Sequence, residues 1–200
     1  MQTDKLDTKQ RLIEFGRKEF LEQGYAKASL RRISSAAQVT TGAIYFFFDS
    51  KEGLFRAILE ETATEWKKCL REYAASEISG MKTSADNDRD MISFLFRRRE
   101  EVLILFEKAS GTVYENYRDE LVAILESSFL ESYRRHGGSQ EDADIIKVIV
   151  RMRIHGYLEL LHGDYTPEQA LRYTGLLAIY SDCGFAAMMK QYNSMLKNPV

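Results

Sequence analysis

Apolar residues recur at three- and four-residue intervals along most of the chain, the spacing of one face of an α-helix. Asp7 with Gln10 reads as a capping box and opens a first amphipathic run through Leu12, Ile13, Gly16, Phe20 and Leu21, which Gly24 stops. Ser29 caps a short second helix with Ile33, Ala36 and Ala37 facing inward. Thr40 caps a third, through Ile44 and Tyr45 to Phe48. Asp49 with Glu52 opens a long fourth through Leu54, Phe55, Ile58, Leu59, Trp66 and Leu70.

The polar stretch from Ser76 to Asp90 reads as a linker or loop. Helical patterning resumes at Met91 and continues past Phe106 until Ser110-Gly111 breaks it. Thr112 with Glu115 restarts a helix that runs to about Arg135, before Gly137-Gly138. Another spans Ser139 or Gln140 to His162, stopped by Gly163. Thr166-Pro167-Glu168-Gln169 is a strong start signal for a last helix reaching about Met195. No segment alternates as a strand does, and no internal repeat is visible. The expected class is all-α with about nine helices.

Composition narrows the picture. With 44% hydrophobic residues and a net charge of -2 over 200 residues, the chain carries enough apolar surface for a core, which excludes disorder. Apolar runs such as Val102–Phe106 are far below the roughly 20 residues of a membrane-spanning helix, and no apolar stretch follows the N-terminus. A cytoplasmic protein with no membrane partner is expected. Cys69 and Cys183 are isolated, with no disulfide or zinc spacing, and read as small core residues. Charge is uneven: residues 1–51 hold nine Lys or Arg against six acids, and the remainder is acidic. A basic head on an acidic body suits a nucleic-acid partner.

Three short helices with a four-residue connection, Ala37-Gln38-Val39-Thr40, form a helix-turn-helix pattern over 29–48. Ser29-Leu30-Arg31-Arg32-Ile33 through Gly42-Ala43-Ile44-Tyr45-Phe46-Phe47-Phe48, then Asp49-Ser50-Lys51-Glu52-Gly53-Leu54, resembles the DNA-binding domain of the TetR-type (tetracycline-repressor-like) transcriptional regulators. Leu12, Gly16, Phe20 and Gly24-Tyr25 resemble that family's first helix. The resemblance covers the first quarter of the chain and implies a DNA-binding domain over 6–66 and a ligand-binding and dimerisation domain over 67–200. It implies a homodimer, a palindromic double-stranded DNA operator and a small-molecule effector, with no enzymatic activity, catalytic residue, metal or other cofactor.

A helix reading the major groove needs a short N-terminal face with small residues for close approach, which Thr40, Thr41, Gly42 and Ala43 supply. The resemblance adds Tyr45 and Phe47 facing DNA, Lys51 on a phosphate, and Ser29 and Arg31 clamping the backbone from the second helix. Two positions depart from the family pattern. Gln38 stands where glycine is usual, and Phe47 where a polar aromatic or histidine is usual. If the turn is left-handed, Gln38 costs roughly 1–2 kcal/mol. Phe47 offers only apolar contact, to a thymine methyl or a sugar. Ile44 and Phe48 are expected inside and Phe47 outside.

The last two helices are apolar on more than one face, which predicts burial on two sides, as core or as a subunit interface. Small residues Gly175, Ala178, Ser181, Gly184 and Ala187 favour close helix contact, and the family resemblance points to a twofold dimer. Most aromatics between the head and these helices read as core. As the family implies, some would line an effector pocket, with Trp66, Phe94, Phe106, Tyr114, Tyr117, His155 and Glu159 as candidates. Arg97-Arg98-Arg99 reads as a solvated face, or as the source of one inward arginine for an anionic ligand. His155, Glu159 and His162 form a stripe on one helix. The spacing Glu159-x-x-His162 occurs in carboxylate-bridged metal sites, yet no second such motif is present, and His155 and His162 lie about 10 Å apart along the axis. The competing reading is a helical-bundle metal- or ligand-binding protein without a DNA function.

Overall fold

A computed structural model describes residues 2–79 and 84–197, with side chains described for 5–76 and 89–195. Among the described residues there are nine helices and no strand: α1 (Gln2–Lys27), α2 (Leu30–Ala36), α3 (Thr41–Phe48), α4 (Lys51–Ser79), α5 (Ser84–Arg97), α6 (Arg99–Glu107), α7 (Tyr117–Arg135), α8 (Ile145–His162) and α9 (Pro167–Lys197). None is long and apolar enough to cross a membrane. The chain separates into two compact units, Met1–Trp66 with Arg98–Arg118, and Lys67–Arg97 with Asp119–Val200.

The first unit closes α1–α3 and the start of α4 around Leu12, Phe20, Ile33, Ile44, Leu54, Phe55 and Leu59, all essentially inaccessible to water. Its inclusion of Arg98–Arg118 departs from the division at 66/67 expected from the sequence. The cause is a set of polar ties between α1 and α6. Arg17 reaches both Glu100 (2.8 Å) and the buried Glu101 (3.0 Å), and the Tyr25 N–H donates to the Lys108 carbonyl at 2.9 Å. These pairs are separated by more than eighty residues, beyond the reach of any local pattern.

The second unit packs α5 against α9 and, to a lesser extent, α8. Its core includes Ile92, Leu95, Leu121, Tyr133, Ile146, Val150 and Leu161. The start of α9 is the reciprocal cap expected from its sequence: Thr166 N–H donates to Gln169 Oε1 (2.9 Å), and Gln169 N–H to Thr166 Oγ1 (3.2 Å).

Several boundaries differ from the sequence reading. α1 begins at Gln2 rather than Asp7, and Gly24 interrupts it with φ 72° and ψ 162° before one further turn. Most of the expected Ser76–Asp90 loop is helix, because Ser76–Ser79 extends α4 and Ser84–Asp90 opens α5. Neither Ser76–Ser79 nor Ser84–Asp90 contains glycine or proline, and polar residues alone do not bar a helix. Residues 80–83 lie outside the described residues. α5 and α6 are separated at Arg98, and 141–144 form turns before α8.

The second apolar faces of α8 and α9 are bare in the single chain. Ile145, Val148 and Met152 are exposed on α8, and Leu176, Ile179 and Tyr180 on α9. Cys183, expected in the core, is exposed on α9, while Cys69 is half-buried.

Candidate nucleic-acid interface

The turn between α2 and α3 sets the angle of the third helix. Val39 N–H returns to the Ser34 carbonyl (2.9 Å) and Gln38 N–H to the Ser35 carbonyl (3.1 Å), which places Gln38 at φ 56°. The left-handed conformation normally given to glycine is therefore carried by an exposed glutamine. Ser34 Oγ and Thr41 Oγ1 lie 3.0 Å apart and bond α2 to the first residue of α3. Thr41 consequently has a structural bond as well as its place on the expected reading face. Thr40 is the N-cap, exposed, and makes no side-chain cap bond. A Cβ added to Gly42 would meet nothing nearer than Thr40 Oγ1 at 3.6 Å, so internal packing does not require glycine there. Its backbone is exposed. Ala43 is half-buried beside it.

Helical geometry sorts the aromatic run. Successive side chains are rotated by about 100°, so Ile44 and Phe48 face the core together and Phe46 points nearly opposite. Ile44 and Phe48 are buried, whereas Tyr45 is 54% and Phe46 67% exposed. Phe47, expected to face outward, is only half-buried, wedged between the rings of Phe46 (4.9 Å) and Phe48 (6.2 Å). The residue projecting farthest is Phe46, which the sequence reading passed over.

Two further residues were missed. Because α1 starts at Gln2, Lys5 and Lys9 fall on one helix face. The Lys5 ammonium sits 5.4 Å from the Phe46 ring centroid and the Lys9 ammonium 5.8 Å from that of Phe48. Their i, i+4 spacing was the available signal, but a helix start placed at Asp7 hid it.

On the other flank, Glu19 organises the start of α2. Its carboxylate accepts from the Ser29 N–H (2.8 Å) and from Arg32 Nε (2.8 Å). Burial pushes the Glu19 carboxyl up, but the Arg32 guanidinium and the Ser29 N–H outweigh it and hold it below its ordinary value. Arg32 also donates to the Lys27 carbonyl (3.1 Å), and Ser29 Oγ caps α2 by accepting from Arg32 N–H (3.4 Å). Arg32 is thus committed internally, and exposed Arg31 is the α2 arginine directed to solvent. Lys51 opens α4 with its ammonium 4.7 Å from the Tyr25 ring centroid and 3.4 Å from the Ala26 carbonyl. Burial lowers its pKa, partly offset by Glu19.

The expected effector-pocket residues are divided between the two units. Trp66, Phe106, Tyr117 and Tyr114 form a chain of ring contacts 6.0–6.5 Å apart in the first unit, and the Tyr117 hydroxyl donates to the Ala63 carbonyl (2.7 Å). Phe94 is buried in the second unit with Arg97 over its ring at 5.8 Å. His155 and Glu159 are exposed on α8, as is His162. Arg98 turns to Glu61 (2.8 Å) and Glu65 (3.8 Å). Among the described residues, no three His, Cys, Asp or Glu side chains converge as a metal site would require.

Residues 12–58 match the model of the bacterial regulatory proteins of the tetR family. The HTH-type transcriptional repressor AcnR of Corynebacterium diphtheriae is 27% identical over 157 residues, covering 76% of this chain and 75% of that protein. Its namesake in Corynebacterium glutamicum is 33% identical over 72 residues, 36% of this chain but only 38% of that protein. Among solved structures, a TetR-like transcriptional regulator from Rhodococcus sp. RHA1 superposes with a TM-score of 0.60 at 18% identity, over 88% of this chain and 96% of that one, and so shares the fold.

Proposed function

We propose that this chain, which belongs to the TetR-type regulators, is a DNA-binding transcriptional repressor that acts as a homodimer on a palindromic operator and is released by a small-molecule effector. The observation that carries this reading is α3 itself. It is a short helix held by a left-handed turn and anchored by Ile44 and Phe48, with Thr40, bare Gly42, Tyr45 and Phe46 outward. Lys5, Lys9 and Lys51 stand around it.

Each group has a role. Thr40, Thr41, Gly42 and Ala43 enter the major groove, where hydroxyls bond base edges or phosphates and small side chains meet thymine methyls. Tyr45, Phe46 and Phe47 give apolar and stacking contact to sugars and methyls. Lys51, Arg31 and Ser29 fix the head on the phosphates, and Lys5 and Lys9 extend that positive rim. Two such heads on one palindrome combine modest half-site affinities. The dimer would be built on the bare faces of α8 and α9: Ile145, Val148 and Met152 follow the 3-4 spacing of a helix seam. An effector releases the operator only if it favours a conformer whose heads miss half-sites about 34 Å apart or a multiple of that. α4, which continues from the residues of the first unit into those of the second, is the element proposed to transmit it.

The test is selection from a pool of random duplexes, with the salt dependence of binding recorded. Enrichment of one palindrome with a steep salt slope is the expected result. Weak binding without enrichment, by protein unfolded and refolded to shed any co-purified ligand, would overturn the reading.

A further inference from the structure

The residues of α3, Thr41–Phe48, include no charged residue and no amide side chain. Guanine is ordinarily read by arginine or lysine and adenine by asparagine or glutamine, whose donors and acceptors match those on the major-groove edges. The outward side of α3 supplies neither pair. Its hydroxyls are those of Thr41, half-buried and bonded to Ser34 Oγ at 3.0 Å, and of exposed Tyr45. The side chain that projects farthest is Phe46, 67% exposed. Its ring meets the Phe47 ring at 4.9 Å and the Lys5 ammonium at 5.4 Å. Neither contact buries it, so little of its apolar surface is removed from water within the chain.

We propose that Phe46 is a specificity-determining residue that reads the 5-methyl group of thymine, so that the pattern of methyl groups in the groove, and not an arginine or amide contact, carries the choice made by α3. The assignment rests on the DNA-binding reading above and names the chemical feature of the operator that α3 recognises. The thymine methyl is the apolar group on the major-groove edges, where the purines present N7 with N6 or O6 and cytosine its N4 amine. A phenyl ring against that methyl removes hydrocarbon of both partners from water. Against a purine edge or a cytosine amine, the same ring displaces water from donors and acceptors and returns no hydrogen bond, which is a penalty. Discrimination therefore has an attractive and a repulsive part. Lys5 complements it, because an ammonium beside the ring suits a phosphate flanking the base and fixes where the ring falls without itself reading the base.

The test starts from a duplex enriched by the selection, with the full-length protein and binding read by fluorescence anisotropy. Each thymine of the half-site is replaced in turn by deoxyuridine, in both half-sites together, which removes the methyl and leaves every hydrogen-bonding group in place. At one position the parent protein is expected to bind about fourfold more weakly, which corresponds to two methyl groups each about half removed from water. Phe46→Ala should bind the thymine and uracil duplexes equally, and Phe46→Leu should keep part of the difference. A C·G pair at that position should bind weakly, and 5-methylcytosine should recover part of the loss, because it restores a methyl group at the same place in the groove. Phe46 is exposed, so neither variant should change helicity or thermal melting. Equal binding of thymine and uracil duplexes by the parent at every position, or a uracil penalty that persists in Phe46→Ala, would overturn the assignment. An enriched half-site unaltered in Phe46→Ala would overturn it too, and would place base reading on exposed side chains outside α3, such as Gln38 in the turn or Arg31 on α2. Failure of the selection itself would strike the DNA-binding reading and the Phe46 assignment with it. The two failures are told apart because the uracil duplexes are compared only once an enriched palindrome is in hand.

Discussion

The outward side of α3 and the bare faces of α8 and α9 both expose large apolar side chains, but in different company. Tyr45 and Phe46 stand on a helix of eight residues with lysine ammoniums from α1 against the aromatic run. Ile145, Val148 and Met152 stand on a helix of eighteen residues, and Leu176, Ile179 and Tyr180 on one of thirty-one. Apolar groups ringed by cations suit a polyanion with apolar features, and duplex DNA offers thymine methyls and sugars between phosphates. A long apolar seam suits another such seam, because most of its stabilisation is the removal of hydrocarbon from water. Exposure alone does not distinguish the two; the surrounding charge and the length of the face do.

The comparison breaks most sharply at the seam. Val148→Glu combined with Ile179→Glu places four carboxylates in a twofold interface, and an unpaired buried charge is among the costliest changes available. Both positions are exposed in the single chain, so the subunit should keep its helicity. Light scattering should show monomer mass, and operator affinity should fall on the order of a hundredfold as the two heads lose their linkage. An unchanged dimer would place the interface elsewhere.

Charge around α3 should give the next largest effect. Lys51→Ala is expected to weaken operator binding about tenfold and to lower the slope of log K against log salt by about one. Lys5→Ala with Lys9→Ala should lower that slope by up to about two while leaving the selected sequence unchanged, since phosphates carry no base identity. A slope unmoved in the double variant would return Lys5 and Lys9 to simple shielding of the Phe46 and Phe48 rings.

Within α3 the aromatic residues separate reading from support. Phe46→Ala should cost a few-fold in operator affinity, leave thermal stability unchanged and relax preference at one base step. Phe47→Ala removes a half-buried ring packed on Phe48 and should lower stability by about 1 kcal/mol as well, by loss of apolar burial. Thermal melting paired with duplex selection on both variants checks this, and equal behaviour of the two would erase the distinction.

These assignments also show what a one-dimensional pattern conveys. The helix-turn-helix was legible because every signal in it is local: Ser29 and Thr40 as caps, Ile33, Ile44 and Phe48 at inward spacing, and a four-residue connection. The α9 cap at Thr166-Pro167-Glu168-Gln169 was legible for the same reason. The joining of Arg98–Arg118 to the first unit was not, because it depends on Arg17 meeting Glu100 and Glu101 and on Tyr25 meeting Lys108. Lys5 and Lys9 were lost to a misplaced helix start. The aromatic residues proposed for a pocket were the most conspicuous in the sequence, and aromatic rings are also what a core is built from.

The smallest expected effect concerns the turn that aims α3. Gln38 holds φ at 56° with its side chain exposed, so Gln38→Gly removes the steric cost of a Cβ in the left-handed region without touching a packed group. That relief is offset in part by the greater freedom of glycine in the unfolded chain. The net expectation is a gain of about 0.5–1 kcal/mol in stability, read from denaturant unfolding, with operator affinity within about twofold of the parent. The affinity clause is the informative one. If stability rises while binding falls by more than that, Gln38 contributes to DNA binding through its side chain, and the positive rim around α3 has a neutral, hydrogen-bonding member at the turn. If stability falls instead, the glutamine makes a contact in solution that outweighs its backbone strain, and the turn is held by its side chain as well as by the Val39 and Gln38 N–H bonds.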